Sequence, residues 1–200
     1  MSMQRLPSSS LPRTADERTM AAPLATAPLL DLHFLPPGRI APERLDRIAA
    51  LVKAGGAVGP AWVGYHLARA YLVAFALDGE RVAGTVCLKH PRPEYVERLH
   101  RLSGLDLTGY LERGYTAVAP AYRGLRLATA LVRGLTRRSQ GLPTYTIIAL
   151  DNAKAQGVTS RAGTWLAASF FSEIKGKEIG IWLQGPLPAD PGASAWEGLA

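Results

Sequence analysis

A run of residues near the middle of the chain has the composition of an anion-binding helix start. Residues 114–119 are small, aromatic or β-branched, which favours a strand, and Pro120 ends it because proline has no backbone N–H. Apolar side chains then recur at helical spacing, at Ala128, Leu131, Val132 and Leu135. Between the two patterns, Arg123 to Ala128 offers backbone N–H groups at a helix N-terminus, where the dipole favours anions. The run therefore predicts a phosphate-binding loop.

Composition limits the classes of protein to which the chain can belong. Its 200 residues, 48% of them apolar, suffice for one domain with a core, and the net charge of +7 suits a phosphorylated or otherwise anionic partner. Nucleic acid is a weak candidate, because no aromatic residues are interleaved with the basic ones. The single cysteine, Cys87, allows no internal disulfide and no CxxC metal motif, so we expect a cytoplasmic protein without a metal. The apolar run 21–30 is too short to span a membrane.

The periodicity along the chain predicts a mixed α/β domain with one central sheet. Helices are expected over 42–52, 61–70, 93–103, 128–138 and 152–162, and strands over 71–77, 81–89, 114–119, 144–150, 165–171 and 178–183. Residues 1–30 and 185–200, rich in Pro, Ala, Ser or Gly, are predicted to be loose tails around a single domain at 31–184.

In residues 118–128, and again in residues 151–163, the sequence resembles motifs of the GNAT (N-acetyltransferase) superfamily. Residues 118–128 are similar to its acyl-CoA-binding signature, Q/R-x-x-G-x-G/A after a strand that ends in Val-x-Pro. Arg123 matches the first position and Ala128 the last, whereas Arg126 replaces the central glycine. Downstream, Asp151-Asn152 and residues 155 and 161–163 are similar to the family's D-N-x-x-A segment, with Thr164 in place of the usual Phe.

The resemblance implies a GNAT fold, with a mostly antiparallel twisted sheet that splays at the cofactor strand and helices flanking it. It also implies an acetyl-CoA site at Thr116, Ala117, Val118, Arg123, Gly124, Leu125, Arg126, Leu127, Ala128, Thr129 and Asn152. Arg126 either turns its side chain outward and contacts a phosphate, or blocks the loop. Asn152 either binds the pantetheine or caps a helix.

The resemblance also implies the catalytic groups. The backbone amide of Val118 would polarise the thioester carbonyl, and Glu112 would take a proton from the substrate ammonium. The alternative for Glu112 is a solvated strand-end side chain paired with Arg113. Thr159 stands where many members carry an acidic tyrosine, so solvent would protonate the departing thiolate.

The reaction implied is acetyl transfer from acetyl-CoA to a primary amine by direct attack in a ternary complex. Because Arg126 and Thr159 depart from the family pattern, a non-catalytic CoA-binding or protein-interaction module on the same fold stays an alternative. The acceptor is left open between a small molecule, a peptide N-terminus and a protein lysine, and an oligomer is possible.

Overall fold

One seven-stranded sheet forms the centre of the computed structural model, which describes residues 29–56, 59–139 and 141–185. The strands are β1 (Asp31–Leu35), β2 (Ala70–Asp78), β3 (Arg81–Lys89), β4 (Leu111–Val118), β5 (Thr144–Ala149), β6 (Thr164–Ser172) and β7 (Lys177–Gln184). Their order in the sheet is β1-β2-β3-β4-β5-β7-β6, and every neighbouring pair is antiparallel except β4 and β5. The predicted mixed α/β domain with a mostly antiparallel sheet is confirmed.

Among the described residues, five α-helices cover the sheet: α1 (Pro42–Ala54), α2 (Val63–Ala68), α3 (Pro93–Ser103), α4 (Leu127–Arg138) and α5 (Ala153–Ser160). Short 3-10 turns lie at Pro37–Arg39, Pro60–Trp62 and Pro120–Tyr122. Prolines begin α1 and α3, where the missing N–H costs no helix bond. Within the described ranges, no helix is both long and apolar enough to span a bilayer.

The two faces of the sheet carry separate apolar cores. On one face Leu127, Leu131 and Leu135 of α4 pack with residues of β2 and β3. On the other, Ile48 of α1 and Val63 of α2 pack with the alternate residues of the same strands. This division follows from the strand period of two, which sends successive side chains to opposite faces.

The sheet opens between β4 and β5. Their pairing covers only Leu111 with Thr144 and Glu112 with Tyr145, and beyond these residues the two strands separate. A bulge in β4 accompanies the opening, because the β3–β4 register shifts opposite Val86 and Tyr115 adopts a positive φ of 56°. A bulge bends its strand and increases the local twist, which turns β4 away from β5. We call the space between the separated strands the gap.

The sequence analysis missed β1. Asp31–Leu35 is only five residues long and has no turn residues that mark it as half of a hairpin. Its hydrogen-bonding partner, β2, lies some 40 residues away, and the two strands pair from Asp31–Leu77 to Leu35–Val73. Of the predicted tails, residues 1–28 and 186–200 lie outside the described ranges. Leu30, assigned to the first tail, is buried in the core.

Candidate functional site

The first turn of α4 presents unpaired backbone donors. The first bond within the helix runs from the N–H of Ala130 to the carbonyl of Arg126, at 3.1 Å. The N–H groups of Leu127, Ala128 and Thr129 therefore have no acceptor within the helix, and no side chain caps them. No acidic residue lies in this turn. Three free donors at the positive end of a helix dipole suit an anion such as a phosphate.

The loop before α4 contains two residues in the left-handed region. Gly124 has a φ of 84°, which glycine adopts freely, and Arg126 has a φ of 58°. The positive φ explains why glycine is the usual residue at this motif position, and an L-residue there costs about 1–2 kcal/mol. The side chain of Arg126 is exposed and has no hydrogen-bond or ionic partner among the described residues. Arg123 Nε lies 3.4 Å from the carbonyl oxygen of Val118.

A glycine in the neighbouring strand brings the start of α4 against the sheet. A Cβ at Gly84 of β3 would lie 3.0 Å from Cδ2 of Leu127 and 3.3 Å from the carbonyl oxygen of Ala117. A larger residue would push the helix away from β4. The predicted phosphate donors are therefore held next to the strand that borders the gap.

The backbone of Val118 faces the gap. Ala119 donates its N–H to Ala83 at 2.9 Å, and these two residues are directly opposite each other in the β3–β4 register. Antiparallel pairing alternates, so the adjacent Val118–Gly84 pair is not hydrogen-bonded. The N–H of Val118 consequently points away from β3, toward the side where β5 has separated. An extended ligand could add to β4 here as a strand does.

The predicted base, Glu112, lies at the closed end of the gap and is not solvated. Its Oε1 is 2.9 Å from Nζ of Lys89, the residue opposite it on β3, and the two side chains are 12% (Lys89) and 15% (Glu112) exposed. The alternative in which Glu112 pairs with Arg113 is wrong. Successive residues of a strand face opposite sides of the sheet, so Arg113 lies on the α4 face, buried and hydrogen-bonded to Gln184 at 3.0 Å.

Aromatic and basic groups surround this ion pair. The ring of Tyr115 lies 4.5 Å from Nζ of Lys89, and Tyr145 is the β5 residue opposite Glu112. Burial raises the pKa of Tyr115 to about 12, with Cys87 and Glu112 adding to the effect, and raises that of Tyr145 in the same way. Both phenols are therefore neutral at physiological pH. The Tyr145 hydroxyl is buried without a hydrogen-bond partner in the described part of the chain.

His66 of α2 lies within electrostatic reach of the same pair. Burial lowers the pKa of His66, and the positive charges of Lys89 and Arg92 lower it further, while Glu112 acts in the opposite direction. Its imidazole is thus neutral at pH 7, because a pKa below the ordinary 6.5 leaves little imidazolium.

Downstream, the side chain of Asn152 caps α5. Its Oδ1 accepts a hydrogen bond from the N–H of Ala155 at 3.1 Å, so the cap predicted as one of two roles is present. The cap uses only the oxygen and leaves the amide nitrogen as a donor. Thr159, the residue in the position of the family's tyrosine, is buried. A buried threonine hydroxyl is no substitute for a solvent-facing acid.

The two predicted catalytic residues do not meet. Glu112 and Val118 are six positions apart in β4, which is roughly 20 Å along an extended strand. One thioester cannot contact both directly, whereas the bulge at Tyr115–Thr116 lies between them. A surface depression lined by Arg47, Glu80 and other residues lies elsewhere and contains none of the predicted site residues.

Sequence reasoning named Tyr115 as a weaker candidate for the base, but it missed Lys89 as the partner of Glu112 and it missed Tyr145. The only available signal was the charge of Lys89 at the end of a strand otherwise apolar from Val82 to Leu88. The pairing of Lys89 with Glu112 depends on the β3–β4 register, which the bulge shifts by one residue. No local pattern in the chain encodes that shift.

Comparisons with known proteins agree with this geometry. The family described as Acetyltransferase (GNAT) family matches residues 54–163. Among solved structures, Arabidopsis thaliana NAA60 in complex with acetyl-CoA has a TM-score of 0.58 at 15% identity, over 78% of this chain and 99% of that one. An acyl-CoA N-acyltransferase from Pseudomonas aeruginosa has a TM-score of 0.55 at 13% identity, and the match covers 78% of this chain and 100% of that one. A GNAT-family acetyltransferase from Streptococcus agalactiae has a TM-score of 0.59 at 12% identity, with 78% of this chain and 96% of that one covered.

A sequence search of the curated proteins found no match. The structural relatives, all below 25% identity, share the fold, and the family match covers more than half of the chain. The chain belongs to the GNAT acetyltransferase family.

Proposed function

We propose that the protein transfers an acetyl group, or a similar acyl group, from CoA to a primary amine. The observation that carries the proposal is the gap itself. The edge of β4 is unpaired beyond Glu112 and runs toward the three free N–H groups of α4. A pantetheine arm needs an open strand edge, and its pyrophosphate needs donors at the end of that edge. Both are present in one continuous path.

In this proposal the pyrophosphate binds the N–H groups of Leu127, Ala128 and Thr129. Arg123 and Arg126 are exposed beside these donors and add positive charge. The pantetheine then runs along Thr116, Ala117 and Val118 as an added strand, with the N–H of Val118 directed to it. On the opposite side of the gap, the amide nitrogen of Asn152 is available to a pantetheine carbonyl.

The position of the thioester in this proposal follows from its distance to Glu112 along β4. A polarising amide at Val118, as the family alignment implies, would leave the acyl carbon far from Glu112. The bulge at Tyr115–Thr116 is nearer, so we place the carbonyl there and assign Val118 to the pantetheine. The backbone N–H groups at the bulge would stabilise the oxyanion as negative charge develops.

The chemistry follows from the groups at the closed end of the gap. The substrate ammonium first loses one proton to the carboxylate of Glu112, directly or through water. The amine lone pair attacks the carbonyl carbon, the new C–N bond forms and the C–S bond breaks. The second nitrogen proton passes to solvent as the amide forms, and solvent returns a proton to the CoA thiolate. No covalent acyl-enzyme is formed, and Cys87 is buried with its pKa raised to about 12.

Cofactor binding is tested by a charge placed in the first turn of α4. Thr129→Asp adds a negative charge that favours the helix dipole of the free protein but repels a pyrophosphate. Thr129→Val, of nearly the same shape, is the matched control. We expect millimolar acetyl-CoA to raise the melting temperature of the wild type and of Thr129→Val, and not that of Thr129→Asp. A wild type that shows no shift contradicts the proposal.

A non-catalytic CoA-binding module is the second candidate. Two observations favour it: Thr159 is buried, and the carboxylate of Glu112 is already engaged by Lys89. It predicts the same thermal shift but no acyl transfer to any member of an amine panel. Transfer that is lost in Glu112→Gln, with the thermal shift retained, rules the module out.

A further inference from the structure

The ion pair of Lys89 and Glu112 is largely withdrawn from water. Its N–O distance is 2.9 Å, and the side chains are 12% and 15% exposed. Gly114 creates the space that it occupies, because a Cβ there would lie 3.1 Å from Cε of Lys89 and 3.5 Å from Oε1 of Glu112. Leaving either charge without a partner at such a site is strongly unfavourable. Any substrate that binds Glu112 must therefore also compensate Lys89.

The ammonium of Lys89 has unused hydrogen-bonding capacity. It carries three donors, and in the described part of the chain its ionic partner is Glu112. The ring face of Tyr115, 4.5 Å away, holds the charge by a cation–π contact but accepts no conventional hydrogen bond. The ammonium of Lys89 thus has donors available to an incoming acceptor oxygen.

The surrounding field also favours a negative group. Three cations and one carboxylate act electrostatically on His66 of α2 and on Tyr95 of α3. The cations are Lys89, Arg92 and Arg98, and the carboxylate is Glu112. His66 itself is neutral at pH 7. A substrate that brings only a positive charge would enter a region in which cations already outnumber carboxylates.

Resting on the proposed acyl transfer, we infer that the acceptor is a free α-amino acid. Its ammonium group pairs with Glu112 and its carboxylate pairs with Lys89. The zwitterion brings a carboxylate for Lys89 as well as an ammonium for Glu112, whereas a simple amine leaves one carboxylate to balance two cations. In an α-amino acid one carbon joins the two charged groups, which matches two protein charges that are in direct contact. Lys89 is then the residue that determines specificity.

The experiment compares three series of acceptors with the wild-type full chain and acetyl-CoA. They are free amino acids, the same amino acids as α-amides, and the amines without the carboxylate. We expect kcat/KM for the free amino acids to exceed that for both other series by at least ten-fold, mainly through KM. Equal or better use of the amides or amines overturns the inference.

Variants of Lys89 test whether that residue carries the preference. Lys89→Met, of similar length and without charge, should raise KM for the free amino acids by about ten- to hundred-fold and so narrow their advantage over the amides. Lys89→Arg should retain the preference, because it keeps a donor cation at the same place. Arg47→Met removes a cation from an exposed pair with Glu80 and should leave the preference unchanged. A Lys89→Met enzyme that keeps the full preference overturns the assignment.

The thermal shift with acetyl-CoA separates the two possible failures. No shift and no transfer to any amine would contradict the proposed function. A normal shift with transfer to all three series alike would contradict only the choice of acceptor. If Lys89→Met does not fold, which the same thermal measurement detects, the comparison of Lys89→Arg with wild type across the three series still decides. If Lys89→Arg keeps the thermal shift with acetyl-CoA but loses the preference for free amino acids, the inference that Lys89 acts through an ionic contact is wrong.

Discussion

Replacing Arg126 by glycine tests the strain in the loop before α4. Arg126 has a φ of 58°, and the left-handed region costs an L-residue about 1–2 kcal/mol. Glycine removes this cost but loses about 0.5–1 kcal/mol of backbone entropy on folding. The net expectation for Arg126→Gly is an increase of about 0.5–1 kcal/mol in the free energy of unfolding. For a domain of this size that corresponds to roughly 1–4 °C in Tm.

The control is Arg126→Ala, which removes the side chain but keeps the Cβ. Because the side chain is exposed and has no described partner, its loss alone should change stability by less than about 0.5 kcal/mol. Urea denaturation followed by circular dichroism measures both variants. If the alanine and glycine variants are equally stable, the conformational reasoning is wrong.

The same two variants decide what the Arg126 side chain does to the cofactor. If it contacts a phosphate, both variants should bind acetyl-CoA more weakly, by up to about five-fold, as for an exposed charge pair. If it obstructs the loop, both should bind acetyl-CoA more tightly. We expect weaker binding, because the exposed side chain has no contact with the described residues that would hold it over the loop. Titration calorimetry with acetyl-CoA measures the difference.

Three further predictions concern the core, the alkaline stability and the cap of α5. Gly134→Ala should destabilise the protein by about 1–3 kcal/mol, since a Cβ would lie 2.3 Å from Cζ of Phe34, and Phe34→Leu should relieve part of that loss in the double variant. Burial raises the pKa of Cys87 from 9.0 to about 12, so its contribution to stability is complete below pH 9 and is lost as the pH rises through about 12. Stability in urea should therefore fall above pH 9 by up to about 1.4 kcal/mol per pH unit, and Cys87→Ala should flatten the first part of that fall. A slope shared by wild type and variant would contradict the assignment. Asn152→Asp keeps the capping oxygen and removes the amide nitrogen, so acetyl-CoA binding should weaken while the free energy of unfolding stays within about 0.5 kcal/mol of the wild type. Asn152→Ala also removes the cap, so it should weaken acetyl-CoA binding and lower the free energy of unfolding by about 1 kcal/mol. Unchanged acetyl-CoA binding in Asn152→Asp would mean that Asn152 caps α5 and does not contact the cofactor.

Local patterns predicted the elements that carry the proposed cofactor site. The strand, the turn at Pro120 and the helix after it were each signalled by neighbouring residues, and α4 begins at Leu127, one residue before the expected start. These features depend on backbone preferences and on apolar periodicity, both of which act within a few residues. The predicted cofactor contacts themselves stay predictions, and the assays above test them.

Pairing across the sheet was not predictable in the same way. The strand β1 gains its hydrogen bonds from β2, and the partner of Glu112 is set by the β3–β4 register. Both depend on residues far away in the sequence. The alternative in which Glu112 is a solvated side chain paired with Arg113 failed, because strand alternation buries Arg113 on the other face.

The chain by itself therefore determined the fold class, the family and the position of the predicted phosphate-binding loop, since these depend on short-range spacing and residue type. Only the tertiary structure decided where the sheet opens and which charges meet at the closed end of the gap. The reason is physical. A single bulge at Tyr115 shifts the register by one residue, and that shift sets Lys89 against Glu112 in a site that is largely withdrawn from water.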